Sequence, residues 1–195
     1  QPEHYDTYGR NVPYWTRAEG QEQLYAWLRE NPHRLHLGRV GLRLERQPGL
    51  LVRLEELTEV EQTLDLWTGT LRSGFHVRGA VVQVQSCCHP ALDVIAARLH
   101  SEKFNELGLR VIFEFPYGSP QMSAADWNQP EAHRTSVVKQ SRYSVCLKRR
   151  LDNTSYWVVI EWAGAAQFRQ TGEHAFELRP AAGQRWLNFC AGFAP

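Results

Sequence analysis

The sequence has a single methionine, few cysteines, no surplus of charge of either sign and no run of apolar residues that approaches a membrane span. Each shortage closes a route. A spanning helix needs roughly 20 consecutive apolar residues, so no membrane partner is expected. Lys plus Arg total 22 against Asp plus Glu at 21, and a formal net charge of +1 supplies no long-range field for nucleic acid. Internal repeats and low-complexity tracts are missing too. No glycine-rich phosphate cradle and no glycine-flanked serine nucleophile occurs, which removes the commonest phosphate-binding and acyl-transfer signatures.

The four cysteines, Cys87, Cys88, Cys146 and Cys190, lack metal-ligand spacing. Cys87, Cys88 and His89 invite a metal reading, but neighbours on a strand point to opposite faces and do not easily share an ion. No metal and no other cofactor is expected. Buried thiols, or one bridge from the 87/88 pair to Cys146 or Cys190, fit the residues better.

Aromatic residues, by contrast, are abundant: seven Trp, seven Tyr and eight Phe. They fill the space between packed sheets or line a platform for sugar rings. One helix is expected from about Gln21 to Glu30, with Leu24, Trp27 and Leu28 on one face packed on a sheet, and Asn31 with Pro32 ending it. From Arg39 a two-residue period takes over. Val40, Leu42 and Leu44 alternate with polar neighbours. Leu71, Ser73, Phe75 and Val77 lead through Arg78 and Gly79 into Val82, Val84 and Ser86, a hairpin. Further strands are expected at 93–99, 109–115, 143–148, 156–162, 167–170, 175–178 and 186–193, with a long loop from Pro116 to Pro130. Turn signals about every ten residues call for two packed antiparallel sheets of roughly ten or more strands. The expected organisation is an N-terminal extension with a short helix over 1–38 and a β-sandwich over 39–195, an all-β fold.

Glycoside hydrolysis needs two carboxyl groups facing each other across the sugar. No such pair stands out. Asp65, in Leu64–Gly69, and Glu114, between aromatic residues, could each act as an acid if buried. No catalytic residue is assigned. The run Asn31 to Arg39 concentrates side chains able to bond sugar hydroxyls, and Asn31, His33, Arg34 and Trp67 are the candidate substrate-binding residues. Asn153, Thr154 and Ser155 form an acceptor for N-linked sugar at an expected turn, which points to secretion.

Several stretches together resemble a known family. They are Asn31 to Leu42 (NPHRLHLGRVGL), Leu64 to Phe75 (LDLWTGTLRSGF), Gly79 to Ser101 with His89, Pro90, Asp93 and Arg98, and Phe113 to Gly118 (FEFPYG). They are similar to the N-terminal domain of glycoside hydrolases with a six-hairpin barrel, in particular families 65 and 95. The resemblance covers the chain from about residue 31 onwards, and its motifs build sheets. It implies an antiparallel β-supersandwich, similar to the galactose mutarotase fold, that accompanies an (α/α)6 barrel carrying the acid and base. The implied function is a non-catalytic domain of a secreted glycoside hydrolase that braces and partly lines the barrel's active site. Its partners would be that barrel, on the same or an accompanying chain, and a carbohydrate substrate. Tyr5, Tyr8, Tyr14 and Trp15 are expected to dock on the barrel.

Two other readings fit the residues. One is a free-standing carbohydrate-binding module with Trp127, Tyr117 or Trp67 as a stacking platform. The other is a small sugar epimerase using His89 or His33 as general acid or base.

Overall fold

The computed structural model describes residues 2–16 and 18–195. In chain order the elements are β1 (Pro2–Thr7), β2 (Arg10–Trp15), α1 (Glu22–Leu28), β3 (Arg39–Arg43), β4 (Glu45–Gln47), β5 (Leu50–Leu51), β6 (Thr58–Asp65), β7 (Thr70–Val77), β8 (Ala80–Cys88) and β9 (Val94–His100). There follow β10 (Arg110–Glu114), β11 (Tyr117–Gly118), β12 (Ala125–Asp126), β13 (His133–Gln140), β14 (Ser144–Leu151), β15 (Thr154–Ala163), β16 (Ala166–Gly172), β17 (Ala175–Pro180) and β18 (Trp186–Ala194). Contacts divide the chain into one unit of Gln1–His36 with Gly118–Asp126, and another of Leu37–Tyr117 with Trp127–Pro195.

In the smaller unit, β1 and β2 form a hairpin closed at Thr7 and Arg10. The two turn residues, Tyr8 and Gly9, have φ of +53° and +77°, the pair of positive values that a tight hairpin demands. The aromatic residues here are the ones the sequence singled out, and all four are exposed, Tyr8 completely. Helix α1 has no buried residue, and Leu24, Trp27 and Leu28 stand in water. The expectation that this helix packs on a sheet is thereby corrected. Seven residues are too short for helix propensity alone to hold, and here no apolar face is buried to help.

The larger unit is an antiparallel sandwich. One sheet has eight strands in the order β13-β14-β15-β18-β9-β8-β7-β6, and the other has four in the order β16-β17-β10-β3. Inward positions alternate as the two-residue period requires: Val145, Leu147 and Leu151 on β14, Tyr156, Val158, Ile160 and Trp162 on β15, and Leu187, Phe189 and Ala191 on β18 are all buried. Phe113 of the small sheet meets Phe189 of the large one edge to face, with centroids 5.6 Å apart, while Trp162 stacks on Phe168 at 6.0 Å. The expected 71–86 hairpin forms with Arg78 and Gly79 at its turn, at φ +52° and +69°.

Besides the β1–β2 hairpin and the short strands β5, β11 and β12, two strands of the eight-stranded sheet escaped the sequence reading. Strand β13 (HRTSVVKQ) begins just beyond the expected loop, and β6 (TEVEQTLD) has no clean alternation. Both are edges of the large sheet, mostly exposed, so pairing with one neighbour rather than burial of a face makes them strands. The charged and bulged character of such edges also blunts pairing with a further chain.

The cysteines depart from both expectations. All four are unpaired, and Cys87 and Cys88 are exposed. Cys87 and Cys190 flank Ala96 from opposite sides, two strand spacings or about 9.6 Å apart, beyond the reach of a disulfide.

Replacing Phe113, 1% exposed at the centre of the inter-sheet seam, with Ala should lower unfolding stability by about 3–5 kcal/mol. Urea denaturation checks this, and a loss below about 1 kcal/mol would mean that the seam is not the core.

Candidate functional site

The residues expected to bind substrate fall in two places. In the smaller unit, the Asn31 side chain accepts the His33 N–H at 3.0 Å, and the Asn31 N–H donates to the Pro120 carbonyl at 2.7 Å. The Arg34 guanidinium donates to the carbonyls of Gln121, at 3.1 Å, and Met122. This polar run therefore pins the 118–126 loop, and the structure brings Asn31, His33 and Arg34 together around it. Trp67 lies on the tip between β6 and β7 and is 97% exposed. Asp65 builds that tip. Its carboxylate accepts the Trp67 N–H at 3.0 Å and the Thr68 hydroxyl at 2.8 Å, and the hydroxyl bond followed by the backbone N–H bonds holds its carboxyl below the usual range. A depressed value is the opposite of what a general acid needs.

Glu114, the other carboxylate singled out, lies between two guanidinium groups, 2.5 Å from Arg39 and 3.2 Å from Arg43. Arg39 in turn lies over the Trp127 ring at 4.4 Å. On the same outer face of the small sheet, Glu177, 3% exposed, pairs with Arg110 at 3.0 Å and Arg169 at 2.6 Å. These carboxylates are held by cations and are not poised in a cleft. His89 is similarly engaged, since its Nδ1 accepts the N–H groups of Ala91 and Leu92 at 3.1 and 3.0 Å.

The densest polar constellation of the larger unit lies at the β13 edge. Arg149 occupies an inward position of β14 and is fully buried. It donates to the Thr135 hydroxyl at 2.6 Å, to the Pro116 carbonyl at 2.8 Å and to the Tyr156 hydroxyl at 3.3 Å, and it pairs with no carboxylate among the described residues. Tyr156 donates its hydroxyl proton to the Leu37 carbonyl at 2.6 Å. Thr135 meets His174 Nδ1 at 2.8 Å, and His174 Nε2 lies 2.7 Å from the Pro130 carbonyl. Only a donor satisfies that carbonyl, so the proton of His174 sits on Nε2 and Nδ1 accepts from Thr135. His133 stacks on His174 with centroids 3.7 Å apart.

Above this network opens a cavity of about 630 Å³ lined by His133, Arg134, Thr135, Arg150, Asp152 and His174, among others. Both Asp152 oxygens lie within hydrogen-bond reach of the Tyr117 hydroxyl, at 3.0 and 2.9 Å, and that bond raises the phenol's pKa. Burial, then the charge of Arg149 and then His174, pushes His133 down to about 4. The pocket is a polar recess over the stacked imidazoles of His133 and His174.

No protein-family profile matches the chain, and no curated protein matches it. Among the solved structures similar to it is that of a putative kojibiose phosphorylase from human microbiome, with a TM-score of 0.48 and 10% identity; the match covers 78% of this chain and 21% of that one. This chain thus spans about a fifth of the neighbour's length. Likeness of that depth transfers neither activity nor substrate.

Of the platform candidates, Tyr117 packs against His133 at 5.8 Å and Trp127 lies under Arg39, while Trp67 occupies a separate tip. The turns bearing Trp67 and Asn153 are at the same end of the large sheet but five strand spacings apart, about 24 Å. Three rings in such settings do not form one flat platform. The sequence reading missed Arg149, His133, His174 and Thr135. The signal for Arg149 was present: a cation in register with Val145, Leu147 and Leu151 is an inward arginine, and such a residue always needs acceptors.

The depressed His133 value has a definite sign. Between pH 6.5 and about 4 the unfolded chain protonates this imidazole while the folded chain does not, so stability falls as pH drops through that window. Replacing His133 with Gln should flatten the fall in thermal-melt series taken across it. An unchanged slope would assign the acid sensitivity to other groups.

Proposed function

We propose that this chain is the non-catalytic β-sandwich of a secreted glycoside hydrolase or related carbohydrate-active enzyme. It braces, and partly lines, the active site of an (α/α)6 barrel on the same or an accompanying polypeptide. The observation that carries this reading is the state of the carboxylates. Asp65 is spent on a turn with its acidity increased, and Glu114 is clamped between Arg39 and Arg43, so neither offers the opposed acid pair that cleavage of a glycosidic bond requires. The chemistry then belongs to another domain.

Two features support contact with such a partner. The four-stranded sheet is half as wide as the eight-stranded one, and Val60, Leu64, Leu66 and Trp67 at the β6 edge are more than half exposed. In the smaller unit Tyr14, Trp15, Trp27 and Leu28 also present large apolar surfaces to water. Exposed apolar groups in such numbers mark interaction surfaces. Asn153, exposed at the β14–β15 turn, is reachable by glycosylation machinery, in keeping with secretion.

Limited proteolysis of the complete natural gene product, secreted from a eukaryotic host, tests the reading. The expected result is a stable all-β fragment matching this chain, and a separate helical fragment that carries the hydrolytic residues. The all-β fragment should bear a mass increment that endoglycosidase removes and that Asn153→Gln abolishes. Catalytic residues mapping to the all-β fragment would contradict the proposal.

A further inference from the structure

The open face of the eight-stranded sheet carries a second assembly of polar side chains, apart from the recess at β13. Register identifies its members, because residues that pair across strands share a face. Asn188 pairs with Arg98, Arg98 with Gln85 and Gln85 with Arg72, which makes one row. Trp186, His100 and Gln83 make the next. On the other side runs a row of small groups, Cys190, Ala96 and Cys87, with Glu161 opposite Cys190. Small side chains floor the middle of the face and long ones rise around it. The result is a groove of about 620 Å³ lined by Gln85, Ala96, Arg98, Glu161, Ala163 and Asn188, among others.

The chemistry of the lining narrows the ligand. Arg98 Nε donates to the Asn188 side-chain oxygen at 3.0 Å, and no carboxylate pairs with Arg98 among the described residues. That bond fixes both groups, and it leaves the guanidinium's terminal nitrogens and the Asn188 amide N–H groups to a ligand. Trp186, in the row beside the groove and outside its immediate lining, is half exposed. Its ring stacks on His100 at 4.1 Å, with the Arg98 guanidinium 5.9 Å away. An aromatic face held beside amides and a guanidinium matches a pyranose, whose C–H face packs on a ring while its hydroxyls donate and accept at the edge. Within the lining the charge of Arg98 is matched by that of Glu161, so the groove does not select an anion. A lipid or an apolar helix laid there would leave the remaining polar groups of Arg98, Glu161, Asn188 and Gln85 without hydrogen-bond partners.

We infer that this groove binds a neutral oligosaccharide laid across β15, β18, β9 and β8, with Trp186 stacking on one ring and Arg98, Asn188 and Gln85 holding hydroxyls. The row from Gln85 to Ala163 crosses three strand spacings, about 14 Å, the length of a short saccharide. This goes beyond the bracing role. The groove can fail to bind sugar while the sandwich still supports a catalytic partner, and binding here would not by itself require one.

Isothermal titration of the chain with maltohexaose, cellohexaose and laminarihexaose tests it. At least one should bind saturably, and Trp186→Ala and Arg98→Ala should each weaken that binding by about tenfold, the loss of one stacked ring or one fixed fork. Both positions are on the open face, so thermal unfolding should match the parent. Val138→Ala, exposed on the edge strand β13 two strand spacings from β15, should leave affinity unchanged. Absence of saturable heat with all three sugars overturns the inference, as does binding that survives both substitutions. Self-association of the chain that buries this face would equally overturn it.

Discussion

The aromatic seam between the two sheets is the interaction on which the larger unit depends. Phe113, Phe168 and Phe176 from the small sheet meet Phe189 and Trp162 from the large one, and the alternating strands exist as a sandwich only because those rings have each other to bury against. Hydrogen bonds between strands set the register, but they replace bonds to water and add little net stability. Removal of apolar surface from water holds the layers together.

That seam also explains where polar chemistry is permitted. The small sheet covers only part of the large one, so charged and polar groups accumulate on the outer faces and at the edges. Glu177 and Arg110 form a nearly buried ion pair on the outer side of the small sheet, extended by Glu45 and Arg169. Such pairs stabilise little against an apolar equivalent, yet losing one partner strands the other, so they resist replacement singly. Arg149 is the exception that enters from the inner side. It is accommodated because Thr135, Pro116 and Tyr156 supply acceptors, and its charge helps keep His133 neutral.

Much of this organisation is legible in the residues. Leu71, Ser73, Phe75 and Val77 with Arg78 and Gly79 spell a hairpin because strand alternation and turn chemistry agree there. Val111, Phe113 and Phe115 read as inward for the same reason. Strands β6 and β13 stay hidden because an edge strand owes its form to a neighbour that sequence cannot show. The small polar network around His133 and His174 is drawn from β13, β14 and the turn before β17, residues some 40 positions apart. Only the fold brings them together. The groups that make Asn31 and Arg34 candidate sugar ligands are engaged within the fold, the Asn31 side chain by the His33 N–H and the Arg34 guanidinium by the Gln121 carbonyl.

The central claim is that this sandwich braces chemistry performed elsewhere. Turnover of aryl glycosides by the isolated chain, followed from mildly acidic to mildly basic pH, addresses it most directly. Release at the buffer rate throughout is the predicted result. Turnover that co-purifies with the chain and disappears in Glu114→Gln or Asp152→Asn, with the melting curve unchanged, would contradict the account.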